Sequence, residues 1–178
     1  MAGTTSKSKI DTRPGTISYE VVKQYNALVA DLNTRGLSAP NPVIKTGGSP
    51  LAKTGAAPTV ALVGGVAVHI AASTDLAALT GINISAGAYN VVIWCTDAAG
   101  TTTAHAGTEG ASLAAVVWPT IGSGKAPVGG AYITYASAFT GGTTPLDTAT
   151  TVYFSTNGLM YQAMQAAKVG NPAGTAIS

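Results

Sequence analysis

Between Val21 and Leu32, apolar side chains recur at three- and four-residue intervals, at Val21, Val22, Tyr25, Leu28, Val29 and Leu32. Lys23, Gln24, Asn26 and Asp31 fall largely on the other side. This period predicts one short amphipathic helix over about residues 18–35. Ser18 suits the N-cap, Ile17 and Val22 stand at the staple positions, Glu20 meets the positive helix end, and Arg35 and Gly36 close it. About 17 residues is marginal for a helix alone in water, so the stripe needs a partner surface.

Further on the period changes to two. Val66, Val68 and Ile70 alternate with Ala67, His69 and Ala71. Tyr89 to Thr96 places Tyr89, Val91, Ile93 and Cys95 on one face and Asn90, Val92, Trp94 and Thr96 on the other. Both faces carry apolar residues, which marks a central strand or one covered by a neighbouring subunit. Asp97-Ala98-Ala99-Gly100 reads as a hairpin loop into a strand at 101–106, and 113–118, 131–136 and 151–155 read as further strands. Short strands separated by turn residues about every ten positions predict a compact antiparallel β-sandwich or barrel over residues 60–156.

Residues 37–59 contain Pro40, Pro42, Pro50 and Pro58 with Gly47, Gly48 and Gly55, a composition that resists helix and central strand. It reads as an extended linker, so that residues 1–59 form an N-terminal arm. The tail at 157–178 holds a candidate short helix from Leu159 to Lys168, stopped by Gly170 and Pro172. The fold class expected is therefore mainly β, behind an arm with one short helix and ahead of a short helical tail.

Charge alters this picture in one way. Only 9% of the chain is charged, against roughly 25% in an average soluble domain. Thr, Ser, Ala and Gly must cover the surface instead, and such side chains pack closely on a neighbour at little entropic cost. The net charge of +2 divides unevenly. Residues 1–59 hold seven Lys/Arg, among them Lys7, Lys9, Arg13, Lys45 and Lys53, against three acids, a net +4. The remainder holds two against four, a net −2. Nucleic acid is a poor fit to the basic arm, because clustered Lys/Arg interleaved with aromatics is missing, and attraction to an acidic protein surface accounts for the same charges. A mean hydropathy of +0.30 argues for a folded chain. Every apolar run is broken well short of 18 residues, so no transmembrane helix or other membrane association is expected. The polar first ten residues lack the apolar stretch of a signal peptide, which implies synthesis in a cytoplasm. The single Cys95 reads as a small buried hydrophobe.

Catalytic patterns fail on inspection. Gly122-Ser123-Gly124-Lys125 ends like a nucleotide-binding loop, but Pro119 stands where the first Gly is needed and Ala126 where Ser or Thr is needed. His69 and His105, the only histidines, have no spacing that ties them to each other or to Asp75, Asp97, Glu109 or Asp147. A metal-dependent hydrolase built on the two histidines is the weakest alternative, and the expectation is no catalytic residue, no metal and no cofactor. Trp94, Trp118, Tyr132 and Tyr135 could stack sugars as surface aromatics, although aromatics at strand alternation more often fill a core or an interface.

Three stretches carry a family likeness: Tyr89-Asn90-Val91-Val92-Ile93-Trp94 leading into Asp97-Ala98-Ala99-Gly100-Thr101; 107–119, Gly-Thr-Glu-Gly-Ala-Ser-Leu-Ala-Ala-Val-Val-Trp-Pro; and Gly129-Gly130-Ala131-Tyr132-Ile133 followed by 139–147, Phe-Thr-Gly-Gly-Thr-Thr-Pro-Leu-Asp. Together they resemble tailed-bacteriophage virion proteins of the capsid decoration, cement or head-fibre type, over roughly residues 60–155. The resemblance implies a β-rich virion module without catalytic residues. With the low charge and the basic arm, it leads to the expectation of a homotrimer on the capsid exterior that bridges major capsid protein subunits. A tail or fibre module that binds a host-surface glycan through the four aromatics is the alternative.

Overall fold

The computed structural model describes residues 34–156. The helix stripe Val21, Val22, Tyr25, Leu28, Val29 and Leu32, the arm residues Lys7, Lys9 and Arg13, and the C-terminal helix expected at 159–168 lie outside the described residues.

The described chain is mainly β and antiparallel. Its strands are β1 (Arg35–Ser38), β2 (Val43–Ile44), β3 (Ala52–Lys53), β4 (Thr59–Val63), β5 (Val66–Ile70) and β6 (Asn83–Ile84). They continue with β7 (Tyr89–Thr96), β8 (Thr102–Ala106), β9 (Ala126–Thr134), β10 (Phe139–Thr140) and β11 (Thr150–Phe154). A three-stranded sheet in the order β1-β4-β5 faces a four-stranded sheet in the order β11-β9-β7-β8, while β2-β3 and β10-β6 form small ribbons. This is a two-layer sandwich.

Local chemistry sets the hairpins. Gly64 and Gly65 both have positive φ, 57° and 84°, and join Val63 to its partner Val66 in the two-residue turn whose twist matches the flanking strands. Between β7 and β8, one Asp97 carboxylate oxygen accepts the backbone N–H groups of Ala99 and Thr101, both at 2.9 Å, and Gly100 takes φ 83°. The turn expected from Asp97-Ala98-Ala99-Gly100 is therefore present.

The main core lies between the sheets. Val92, Trp94, Val128, Ala131 and Ile133 of the four-stranded sheet meet Ala61, Val63, Val68 and Ile70 of the other, and Leu76, Leu79, Ile84, Phe139 and Leu146 close the ends. A second cluster, Val91, Ile93, Cys95, Val116 and Ile121, sits on the outer face of the four-stranded sheet. The two-sided reading of Tyr89 to Thr96 is thus realised within one chain, with β9 and β8 as its neighbours.

Two expectations change. The Pro/Gly segment at 37–59 is part of the folded body, because β1 pairs with β4, β2 with β3, and Ala39, Ala52, Thr54 and Thr59 are buried. Its prolines occupy positions outside the strands, where no ladder N–H is needed, and Pro42 packs on Gly129, where an added Cβ would come within 2.3 Å of the ring. The body therefore begins by residue 34, before the expected boundary at 60, and Arg35, placed at the helix end by sequence, opens β1. The run 113–118 is not a strand. It makes a 3-10 turn at Leu113–Ala115, and Val117 then bridges to Thr108. Gly110 lets this loop fold back, since a Cβ there would lie 2.6 Å from the Ala115 carbonyl carbon.

Candidate interaction surface

Among the described residues, the outer face of the four-stranded sheet is covered over only half its width. On β7, Val91, Ile93 and Cys95 are fully buried beneath Val116 and Ile121 from the loop after β8. Toward β9 and β11 that cover thins, leaving Tyr132 and Phe154 half-buried and Val152 57% exposed. Register puts the three on one face, because Val152 is directly opposite Tyr132 and Phe154 is opposite Gly130. Trp118 closes the group. Its ring lies 6.0 Å from Tyr132, edge-on, and 5.8 Å from Phe154, and those two rings are 4.9 Å apart. The Phe154 ring can lie flat because residue 130 is Gly, where a Cβ would come within 2.3 Å of it.

The strand edges share this lack of charge. β5, β8 and β11 each end a sheet, and none contains Lys, Arg, Asp, Glu or Pro. Soluble proteins commonly guard such edges with charge, proline or a covering element. The outer side of β11 makes no further backbone hydrogen bond among the described residues.

The sequence-selected aromatics separate in space. Trp94 is fully buried between the sheets, with its indole N–H donating to the Ala77 carbonyl at 2.9 Å, so it is a core residue and no surface platform. Tyr135 packs against the main core, on the opposite face from Tyr132. Only Trp118 and Tyr132 come together, and the third member of their group, Phe154, was not selected from sequence. Its signal was the alternation of Thr150, Val152 and Phe154 against the mid-strand Gly130.

The three basic residues of the expected arm that are described, Arg35, Lys45 and Lys53, all belong to the body. Lys45 donates to the Asp75 carboxylate, and Lys53 in β3 forms a bridge with Asp75 through its backbone. His69 is exposed on the outer face of the three-stranded sheet, whereas His105 is half-buried on the outer face of the four-stranded sheet, opposite Ile93. The main core separates those faces. Lys125 Nζ donates to Thr103 Oγ1 at 2.9 Å, and that hydroxyl lies 3.0 Å from His105 Nε2. Burial and the Lys125 charge both hold the imidazole below its ordinary pKa, which keeps it neutral and able to accept the Thr103 hydroxyl. Burial also pushes the Cys95 thiol up to about 12, against a smaller opposing pull from Lys125, so it stays protonated and unreactive.

Glu109 is the remaining candidate. Its carboxylate accepts the Ser85 hydroxyl at 2.6 Å and the Ser85 N–H at 2.8 Å, and those bonds hold it below the usual carboxylate range. It separates two open grooves of about 530 and 300 Å³ and is the only titratable side chain in either lining. A single solvated carboxylate fixed to a turn supplies no acid–base pair. Among the described residues, no group of three or more His, Cys, Asp or Glu gathers as metal ligands would.

What fold and surface define together is a charge-poor antiparallel β-sandwich with an apolar, partly covered outer face. No family model, curated protein or solved structure matches the chain.

Proposed function

We propose that this chain is a structural coat component: a decoration or cement protein that binds the outer surface of a phage capsid and bridges major-capsid subunits. The observation that carries the reading is the set of unguarded edges on β5, β8 and β11, continuous with exposed Val66 and Val152. A freely diffusing monomer with such edges courts edge-to-edge aggregation, whereas a component of a permanent assembly has them covered. The resemblance of the three sequence stretches to virion proteins supports the same reading. With Arg35, Lys45 and Lys53 in the body, the residues before Thr34 keep four Lys/Arg against three acids, a net +1, so long-range attraction adds little to this reading.

Attachment through that arm is tested by a truncation that respects the fold. Removal of residues 1–59 would delete β1 and expose its partner β4, so the informative truncation removes 1–33. The coat reading itself is tested by the copy number of the chain in purified particles. Hundreds of copies per particle, located on the capsid lattice, are expected. Absence from mature particles, or confinement to the tail, refutes the reading.

A further inference from the structure

We infer that the open half of the outer face and the edge of β11, unpaired among the described residues, form a two-fold contact with a second copy of this chain. The contact rests on the coat-component reading for the reason that the chain assembles, and on the geometry for where. The loop after β8 buries the β7 half of the face and stops, so the apolar surface continues past its own cover through Tyr132, Phe154 and Val152 to the edge of the sheet. An edge row of backbone groups beside exposed apolar side chains is a ready template for pairing with another strand.

Charge identifies the occupant. β9 and β11 contain no ionisable acid or base apart from tyrosines, so a charged partner finds no counter-charge there. An identical β11 is complementary on both counts. A two-fold axis normal to the sheet, just outside β11 and level with Val152, brings Val152 opposite Val152 of the second copy, and Phe154 opposite its Thr150. All these side chains stay on the same face, because Thr150, Val152 and Phe154 alternate with Thr151 and Tyr153. β-Branched and aromatic cross-strand pairs of this kind favour antiparallel pairing. The two four-stranded sheets then run as one sheet of eight, and the two aromatic groups share one apolar surface. Such a contact is isologous and gives dimers, in place of the expected trimer.

The full chain carries the test. Directly opposed residues of antiparallel strands have Cα atoms about 4.5–5.5 Å apart, within the range a disulfide spans. Val152→Cys should therefore cross-link into dimers under mild oxidation, while Ser123→Cys, exposed in the turn before β9, should not. Native Cys95 is fully buried and gives no background. By sedimentation, the wild-type chain should be dimeric, and Val152→Lys, which sets like charges opposite each other, should weaken association at least about tenfold with an unchanged fold by circular dichroism. The contact is overturned by a monomeric wild type at about 100 µM, by no cross-link at Val152→Cys, or by equal cross-linking at Ser123→Cys. A glycan or the chain's own 157–178 segment on this face would give the first two results. Copy number on particles is read separately. A dimer that is absent from capsids keeps the contact and removes the coat reading, and a capsid-bound chain whose Val152→Lys variant associates normally does the reverse.

Discussion

Replacing Trp94 by Phe separates the core assignment of this residue from a ligand-stacking one. The indole is fully buried and its N–H bonds the Ala77 carbonyl at 2.9 Å. Phe removes that donor, which costs about 1 kcal/mol for the bond and somewhat more if the carbonyl stays dry. It also removes three ring atoms from a packed site, roughly another 2 kcal/mol in lost burial and unfilled space. The expected loss is about 3–4 kcal/mol, a fall in Tm on the order of 10 °C for a domain of this size. Trp118→Phe, in a half-exposed group, should cost about 1 kcal/mol or less. Urea unfolding followed by the fluorescence of the remaining tryptophan measures both variants on one scale. Equal losses, or a larger loss at Trp118, would refute the placement of Trp94 between the sheets.

Two further outcomes follow from the same packing. Gly130→Ala sets a methyl group against the Phe154 ring and 2.9 Å from the Ile93 side chain, so stability should fall by about 1–3 kcal/mol; in a Phe154→Ala background most of that loss should vanish, and a loss of the same size there contradicts the flat ring. His105 has a folded pKa below its ordinary value, so its neutral form stabilises fully above about pH 6.5 and that stability is lost as pH falls through the folded value. The urea midpoint should therefore drop between pH 8 and pH 5 and drop less in His105→Gln, and identical slopes for the two proteins would dissociate the effect from this residue.

Strand β7 was legible in the sequence because its two faces are both apolar and its following turn has its own chemistry in Asp97. The role of Trp94 was harder to read. Alternation groups it with Asn90 and Thr96, polar residues that suggest an exposed face. In the fold Asn90 is satisfied locally, donating to the Gly107 carbonyl at 3.1 Å and accepting the Val91 N–H at 2.8 Å, so the strand stays buried. Residues 37–59 misled for a different reason. Their buried positions, Ala39, Pro42, Ala52, Thr54, Gly55 and Thr59, carry no hydrophobic period, while their four prolines are conspicuous. The half-covered face could not be read at all without register, since it joins Trp118 of a loop to Tyr132 and Phe154 of separate strands.

The scarcity of charge has a structural counterpart. Lys45 and Asp75 bond each other, Asp97 holds its own turn, Glu109 fastens Ser85, Lys125 reaches Thr103, and Asp147 accepts the Gly48 N–H at 2.8 Å. Most of these groups fix a loop, whereas Lys125 reaches across to the edge strand β8 and Arg35 stands in the edge strand β1. Solvation and edge protection, the usual tasks of surface charge, fall to threonine, alanine and glycine, which perform them poorly. Strand edges and an apolar face remain available while the loops stay rigid. Association through such a surface is driven by backbone pairing and apolar burial, so ionic screening has little to act on, whereas any attraction through the basic residues before Thr34 is screened within about 10 Å at 0.1 M salt. With four Lys/Arg against four acids the described body is neutral, and long-range charge gives it no attraction to steer by.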